Sequence, residues 1–381
     1  MKQSVRIGAG KLELLEVIRA AAAIYVVIHH LLGSTELKTV MPSLVRAPFR
    51  FGQEAVIVFF LLSGFVIYLA TYNRAQQSFR EYFVKRLFRI YPIFVSVLLL
   101  SVLISLFNGE KLSYHDLINF VGNLAMLQDT GNKPGTFIYP FLHNHALWSL
   151  SYEWWFYMLF PLLMRGVALL RRYYNGPSIY LACGISLLTY ICYLLLPNHL
   201  LLIGSYLVLW WTGVACAELY CRGIKLDFRA LRPMYISLGA MTVLTLIPMR
   251  ELIGKGASAF NVNDYPFIDF RHYAFATLCL VGIQYGHLCS ELLMRRGMRW
   301  LSSLSGISYG LYCVHFPIFY LQLPFVHHLA LEYTIKIGLV FLFAYILEKV
   351  MQPRWNKLSV KLLTFKTPSV QTPQPETLVS I

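Results

Sequence analysis

Residues 11–33 read KLELLEVIRAAAAIYVVIHHLLG, and this stretch decides the fold class. Its apolar run from Ala20 to Ile28 lies between Arg19 and His30. A helix that crosses a bilayer needs about 20 mostly apolar residues. Acidic residues precede the run and no small-residue cleavage site follows it, so the stretch predicts a retained membrane helix rather than a signal peptide.

The composition of the whole chain extends this interpretation. The 381 residues are 57% hydrophobic and only 13% charged, with a net charge of +15, whereas soluble domains carry about 25% charged residues. Ordinary soluble, disordered, collagen-like and coiled-coil proteins are therefore excluded. The basic residues lie between apolar runs and form no basic face interleaved with aromatics, so we expect no nucleic-acid partner. The seven cysteines show neither a disulfide framework nor a metal-binding spacing.

The same length criterion predicts an all-α, polytopic integral membrane protein with about ten transmembrane helices. The predicted spans are residues 17–33, 55–71, 90–107, 146–164, 178–196, 201–219, 234–249, 270–289, 305–321 and 332–350. Most of the 33 Lys and Arg residues collect in alternate connecting segments. Since short cytoplasmic loops are rich in these residues, both termini are predicted to be cytoplasmic.

The chain is predicted to form one membrane domain over residues 1–363. The remaining segment, 364–381, is rich in Pro, Thr and Gln and poor in apolar residues. This composition is typical of a disordered segment, and we expect a disordered cytoplasmic tail.

Arg19 and His30 are ionisable residues inside or beside the first span, where charges are costly and usually functional. His30 is eleven positions after Arg19, which is about three full helical turns and a rise of about 16 Å. They are therefore predicted to share one helix face. The alternatives are that Arg19 anchors the helix at the interface and that His30 is a packing residue.

Glu153 lies in the fourth predicted span, in the sequence ALWSLSYEWWFY, together with Trp148 and Ser151. Its predicted depth matches that of His30, and a carboxylate there could orient a histidine or stabilise its charged form. The Trp148 ring could stack on a sugar, or it could belong to an interfacial aromatic belt.

Arg86 and Arg89 are three residues apart in FVKRLFRIYP and so are neighbours on a helix. A pair of guanidinium groups suits phosphate binding, although positive-inside anchoring explains the pair equally well. No metal site is predicted among these residues.

Three further residues are candidate supporting groups. Tyr309 and His315 lie in SGISYGLYCVHFPIF, where Pro317 frees a backbone carbonyl that needs a donor. A structural role for His315 as that donor is therefore as plausible as a chemical one. Ser63, in FFLLSGF, belongs to a small-residue motif typical of close helix packing.

Five motifs, in this order, resemble the acyltransferase 3 family of bacterial inner-membrane acyltransferases. They are LLEVIRAAAAIYVVIHH, FFLLSGFVI, FVKRLFRIYP, WSLSYEWWFY and SYGLYCVHFP, and the resemblance covers about residues 11–353. Two positions depart from the family pattern. Glu16 stands where the family usually has Asp, and Glu348 lacks the Pro that often follows two residues later, so no role is carried over to Glu348.

The resemblance implies transfer of an acyl group, usually acetyl from cytoplasmic acetyl-CoA, to a hydroxyl of a cell-surface or exported polysaccharide or a lipid-linked glycan. It implies a multi-pass protein of the bacterial inner membrane. It also points to Arg19, His30, Glu153 and the pair Arg86 and Arg89. No tightly bound cofactor is expected.

We expect the coenzyme nucleotide to lie against Arg86 and Arg89, with its pantetheine arm passing Arg19. His30 would act as a general base on the acceptor hydroxyl or accept the acyl group transiently, with Glu153 supporting it. The sequence leaves open the glycan, the hydroxyl and the acyl group. The alternative function is a transporter or flippase of a glycan or lipid-linked precursor, for which we find no inverted repeat.

Overall fold

The computed structural model describes residues 9–73, 78–254, 264–293 and 296–364, and all of its regular structure in these ranges is helical. Residues 365–381 of the predicted tail lie outside the described residues. The helices are α1 (Ala9–Gly33), α2 (Leu37–Val40), α3 (Ser43–Arg46), α4 (Gly52–Tyr72), α5 (Phe79–Phe107), α6 (Tyr114–Leu124), α7 (Trp148–Leu170), α8 (Ile179–Leu195), α9 (His199–Cys221), α10 (Phe228–Ile253), α11 (Phe267–Leu293), α12 (Arg296–Ser305), α13 (Ser308–Tyr320), α14 (Leu329–Tyr345) and α15 (Gln352–Thr364). A π-helical segment, Ile346–Met351, joins α14 to α15.

The all-α membrane fold predicted from the sequence is confirmed. Within the described ranges, six helical segments are long and apolar enough to cross a membrane. They are Gly10–Gly33, Ser43–Tyr72, Phe79–Phe107, His199–Cys221, Phe228–Ile253 and Leu329–Thr364, and Ile179–Leu195 is a shorter apolar helix. The count of ten spans and the cytoplasmic placement of both termini remain predictions.

Small residues bring α4 and α9 into close contact. A Cβ atom added at Gly64 would lie 2.2 Å from the Trp210 carbonyl oxygen, and one at Gly213 would lie 2.0 Å from the Leu61 carbonyl oxygen. Glycine is therefore required at both positions for the backbones to approach. The close packing predicted for FFLLSGF is confirmed.

Helices α1, α5 and α13 run in the same direction. The first halves of α5 and α13 meet where the Tyr309 hydroxyl donates to the Ile90 carbonyl, at 3.1 Å. Their far ends meet where the Asn108 amide donates to the Tyr320 carbonyl, at 3.0 Å. His30, near the end of α1, contacts His315 of α13. The three helices therefore carry their polar residues at two levels of the bundle.

A buried ionic cluster ties the segment between α6 and α7 to the bundle. The Lys133 ammonium lies 4.0 Å from Asp129 Oδ2 and 3.8 Å from Asp269 Oδ1, and all three side chains are at most 2% exposed. The rings of Tyr152 and Tyr206 face the same ammonium. Because buried charges are tolerated only when paired, this cluster fixes the position of the segment.

The six cysteines whose side chains the structure describes are all free thiols. This agrees with the absence of a disulfide framework in the sequence. The side chain of Cys289 lies outside the described residues.

Candidate active site

A cavity of about 210 Å³, with charged and hydroxyl side chains among its lining residues, lies between α1, α4, α5, α7 and α13. Six residues predicted from the sequence line it, namely Arg19, Ser63, Arg86, Arg89, Glu153 and Tyr309. Residues from five helices, separated by up to about 290 positions, therefore meet at one place. Of these six residues, only Arg86 and Arg89 could be placed next to each other from their spacing in the sequence.

Arg86 and Arg19 give the cavity its positive charge. Among the described residues, neither guanidinium has a carboxylate partner. Arg86 lies over the rings of Tyr82 and Tyr157, each 5.7 Å from the guanidinium carbon, and its Nε is buried without a hydrogen-bond partner. Cations with unused donors in a low-dielectric cavity favour binding of an anion.

Arg89, by contrast, is already paired. Its guanidinium donates to both carboxylate oxygens of Glu348, at 2.7 and 3.3 Å, and its carbon lies 5.5 Å from the Tyr309 ring centre. Glu348 is 3% exposed, whereas the Arg89 side chain keeps 44% of its surface exposed. The carboxylate therefore fixes Arg89 without covering it, and the two arginines of the RxxR motif are not equivalent.

The π-helical segment Ile346–Met351 places Glu348. A π turn adds a residue to the helical repeat and so changes which side chains share a face. The second oxygen contact of Glu348 is the Gly310 amide, which donates to Oε1 at 3.3 Å. Since the carboxylate links this π-helical segment to Arg89 of α5 and Gly310 of α13, it holds the arginine end of the cavity together.

Glu153 is held by a chain of hydroxyl groups. The Tyr157 hydroxyl donates to Glu153 Oε1 and lies 2.8 Å from the Ser63 hydroxyl. The Trp210 indole N–H donates to Ser63, at 3.1 Å. Ser63 thus combines its position in the α4 packing motif with a polar contact inside the cavity.

His30 lies outside the residues that line the cavity and is paired with His315. His30 Nδ1 is 2.9 Å from His315 Nε2, and the two rings are stacked with centroids 5.0 Å apart. Tyr312 connects the two regions, because it lines the cavity and its ring centre is 6.2 Å from that of His315. The contact partner of His30 is therefore His315, whereas the carboxylate of Glu153 is bonded to Tyr157.

Trp148 and Ser151 face the protein interior. Trp148 is 4% exposed and Ser151 is fully buried. The Trp148 ring stacks on His272 with an interplanar angle of 5°, and the Ser151 hydroxyl donates to the Gln128 carbonyl, at 2.8 Å. Both side chains are thus engaged in the packed interior, and roles for Trp148 and Ser151 in binding or supporting the acceptor remain predictions.

The sequence assigned no role to two groups of this site, Tyr157 and Glu348. Tyr157 stands out in the same predicted span as Glu153, and the structure shows that it carries the central hydroxyl between Glu153 and Ser63. Glu348 was set aside because its sequence context departs from the family pattern, although a carboxylate in an apolar span needs a partner.

Among the comparisons with known proteins, the match to a family model covers most of the chain. The family model described as an acyltransferase domain matches residues 12–349. An uncharacterized protein of Haemophilus influenzae (strain Rd) is 30% identical over 119 residues, which are 28% of this chain and 47% of that protein. The acyltransferase MdmB of Streptomyces mycarofaciens is 36% identical over 116 residues, which are 30% of this chain and 29% of that protein.

The chain thus aligns with less than half the length of these two relatives. No solved structure matches. The family match spans all five motifs and every residue that lines the cavity. This multi-pass membrane protein therefore belongs to the acyltransferase 3 family.

Proposed function

We propose that this protein is a membrane O-acyltransferase that moves an acetyl group from cytoplasmic acetyl-CoA to a hydroxyl of a sugar in a cell-surface or exported polysaccharide. The observation that carries the proposal is one cavity lined by Arg19 and Arg86, neither of which has a carboxylate ion-pair partner among the described residues, and by Glu153. Membership of the acyltransferase 3 family supports the reaction class. In this proposal the protein resides in the inner membrane of a bacterium.

The donor is proposed to enter at the arginine end of the cavity. Phosphate groups carry several negative charges and accept hydrogen bonds in the geometry that guanidinium groups offer. Arg86 has a buried, unbonded Nε, and Glu348 presents Arg89 with part of its surface free. These features suit the phosphates of a coenzyme A thioester.

The distance along α1 from Arg19 to His30 suits the reach of the donor's pantetheine arm. Arg19 and His30 lie on one unbroken helix, Ala9–Gly33, and eleven residues correspond to a rise of about 16 Å. A pantetheine arm is of comparable length. A donor whose phosphates lie at the arginines therefore carries its thioester towards His30.

We assign the proton transfer to His30. The acceptor hydroxyl oxygen attacks the thioester carbonyl carbon while the free nitrogen of His30 takes the hydroxyl proton. The carbon–sulfur bond breaks, and the departing thiolate takes that proton back, so the products are the acyl ester and coenzyme A thiol. Direct transfer of this kind requires no covalent enzyme intermediate.

The acceptor is proposed to approach past the segment that precedes α7. Leu142 and His143 have φ angles of 44° and 58°, in the left-handed region that costs a non-glycine residue about 1–3 kcal/mol. The exposed His145 ring packs against Phe316, at 5.4 Å, and Phe316 packs against His30, at 5.2 Å. A strained segment that ends next to His30 suits the binding of a polar acceptor.

The test is transfer of label from acetyl-CoA in isolated membranes. Membranes with the intact protein should convert [acetyl-14C]acetyl-CoA into labelled polysaccharide, and membranes without it should not. Unlabelled acetyl-CoA should compete more strongly than succinyl-CoA. Equal labelling of polysaccharide in both membranes would overturn the acyl-transfer proposal and favour the transporter alternative.

A further inference from the structure

His315 is fully buried on α13, and both of its ring nitrogens are engaged. Its Nδ1 lies 2.9 Å from the Leu311 carbonyl oxygen one turn earlier. Its Nε2 lies 2.9 Å from Nδ1 of His30. The ring therefore links a backbone acceptor to the histidine that the proposed function uses as a base.

These contacts fix the protons of both rings. A carbonyl oxygen only accepts hydrogen bonds, so His315 Nδ1 must carry a proton. In a neutral imidazole the other nitrogen then has a free lone pair, and His315 Nε2 accepts from His30 Nδ1–H. In a neutral His30 this leaves Nε2 unprotonated, which is the form that a general base needs.

His315 is free for this contact because another residue satisfies the helix break. Pro317 has no N–H and so frees the carbonyl of Cys313. The buried Asn144 side chain donates to that carbonyl, at 3.1 Å. Asn144 therefore supplies the hydrogen-bond donor that the sequence suggested His315 could provide.

The neighbouring rings hold this arrangement in place. The imidazole planes of His30 and His315 are inclined by only 21°. Phe316 meets the His30 ring edge-on at 76°, and Phe319 packs against His315, with centroids 5.9 Å apart. A flip of the His30 ring would have to displace these neighbours.

We propose that His315 is a positioning residue that holds His30 in the tautomer with Nε2 unprotonated and directed away from the histidine pair. The proposal rests on the assignment of His30 as the base in the proposed function. During transfer, His30 Nε2 gains the acceptor proton while Nδ1–H continues to donate to His315. The pair thus spreads the transient positive charge without a carboxylate.

Two isosteric variants separate the two contacts of His315. The His315→Gln side chain places an amide oxygen near the position of Nε2 and can accept from His30. The His315→Asn side chain reaches only the position of Nδ1 and can donate to Leu311 but not contact His30. A merely structural role predicts similar losses in both variants.

Acetyl transfer by the purified full-length protein provides the kinetic measurement. We expect His315→Asn to lower kcat about 100-fold, in the range of general-base effects, with little change in KM for either substrate. His315→Gln should retain kcat within about tenfold. Equal kcat in the two variants, whether both are active or both inactive, would overturn the proposal.

A second measurement reads the tautomer without turnover. The 15N spectrum of histidine-labelled protein distinguishes a protonated ring nitrogen from a bare one, and His30→Ala identifies the His30 signals. We expect His30 to be bare at Nε2 in the wild-type protein and in His315→Gln. A bare Nδ1 would overturn the tautomer assignment, whereas full activity of His30→Ala would instead overturn the proposed function.

Discussion

The guanidinium of Arg89 and the carboxylate of Glu348 are joined by two hydrogen bonds, of 2.7 and 3.3 Å, although 259 positions separate them. Glu348 is almost completely buried, and Arg89 is partly exposed. Glu348 therefore needs its partner in order to remain buried as a carboxylate, whereas Arg89 can still contact a ligand. This asymmetry gives the two arginines of the RxxR motif different roles.

Removing either member of this pair should destabilise the protein. Arg89→Ala leaves the buried Glu348 carboxylate unpaired. Breaking a buried ion pair lowers the free energy of unfolding by about 3–5 kcal/mol, and the loss should be smaller here because Arg89 is partly exposed to solvent. Glu348→Ala should lower the apparent Tm in detergent less, since Arg89 can turn to solvent. The double variant should lose less than the sum of the two single variants, because they disrupt one interaction. Strict additivity of the Tm shifts would show that the pair contributes nothing.

Arg86 should act mainly on donor binding. Arg86→Ala should raise the KM for acetyl-CoA about tenfold or more and leave kcat nearly unchanged, because phosphates are held alike in the ground and transition states. Arg165, an exposed arginine that does not line the cavity, provides the control, and Arg165→Ala should leave the KM unchanged. A fall in kcat at constant KM would instead assign Arg86 to the chemical step.

The Tyr157 hydroxyl should position Glu153. Tyr157→Phe keeps the ring but removes the bonds to Glu153 and Ser63, and we expect kcat to fall about tenfold while the protein remains folded. Tyr91→Phe is the matched control, since the Tyr91 hydroxyl bonds the Leu124 carbonyl away from the cavity. Comparable kcat values for the two variants would remove Tyr157 from the site.

Much of this site follows from the sequence. Arg19, Arg86, Arg89 and Glu153 are charges in or beside apolar spans, where the cost of burial makes a shared polar cavity predictable. The Arg89 contact with Glu348 was not predictable in the same way. It depends on a π turn, which shifts the helical register without an obvious sequence signal.

The region from α6 to the start of α7 likewise contains one feature that the sequence reveals and one that it does not. Helix α6 begins at a capping box formed by Ser113 and Asp116, a local pattern that sequence can reveal. The approach of Lys133 to Asp269 joins residues far apart in the chain. No periodicity encodes such a contact, and only the packed structure identifies it.

The ion pairs of Lys133 should make stability depend on pH. Burial alone would raise the pKa of Asp129, but Lys133 and the hydrogen bonds from His199 and Tyr152 hold it below its usual value. A lowered folded-state pKa adds stability that is fully present above the unfolded value of about 3.9 and is lost as the pH falls through the folded value.

The contribution of Asp129 to the apparent Tm in detergent should therefore be lost below about pH 4. Lys133→Met should lower the Tm at neutral pH and shift the acid transition upward, because the Asp129 carboxylate loses its cation. The exposed Lys111, which lies between α5 and α6, supplies the control variant, Lys111→Met. If the Lys133 and Lys111 variants had the same Tm at every pH, the ionic cluster would have no stabilising role.

The adjacent histidines of α1 provide the most direct test of the central claim. His30 contacts His315, whereas His29 bonds the Phe49 carbonyl, at 2.6 Å. Acetyl transfer from acetyl-CoA to polysaccharide should be measured with His30→Ala and His29→Ala at matched protein levels. We expect His30→Ala to lose about 10²–10⁴-fold in kcat and His29→Ala to stay within about threefold of the wild-type protein. Near-normal transfer by His30→Ala would contradict the assignment of His30 as the base.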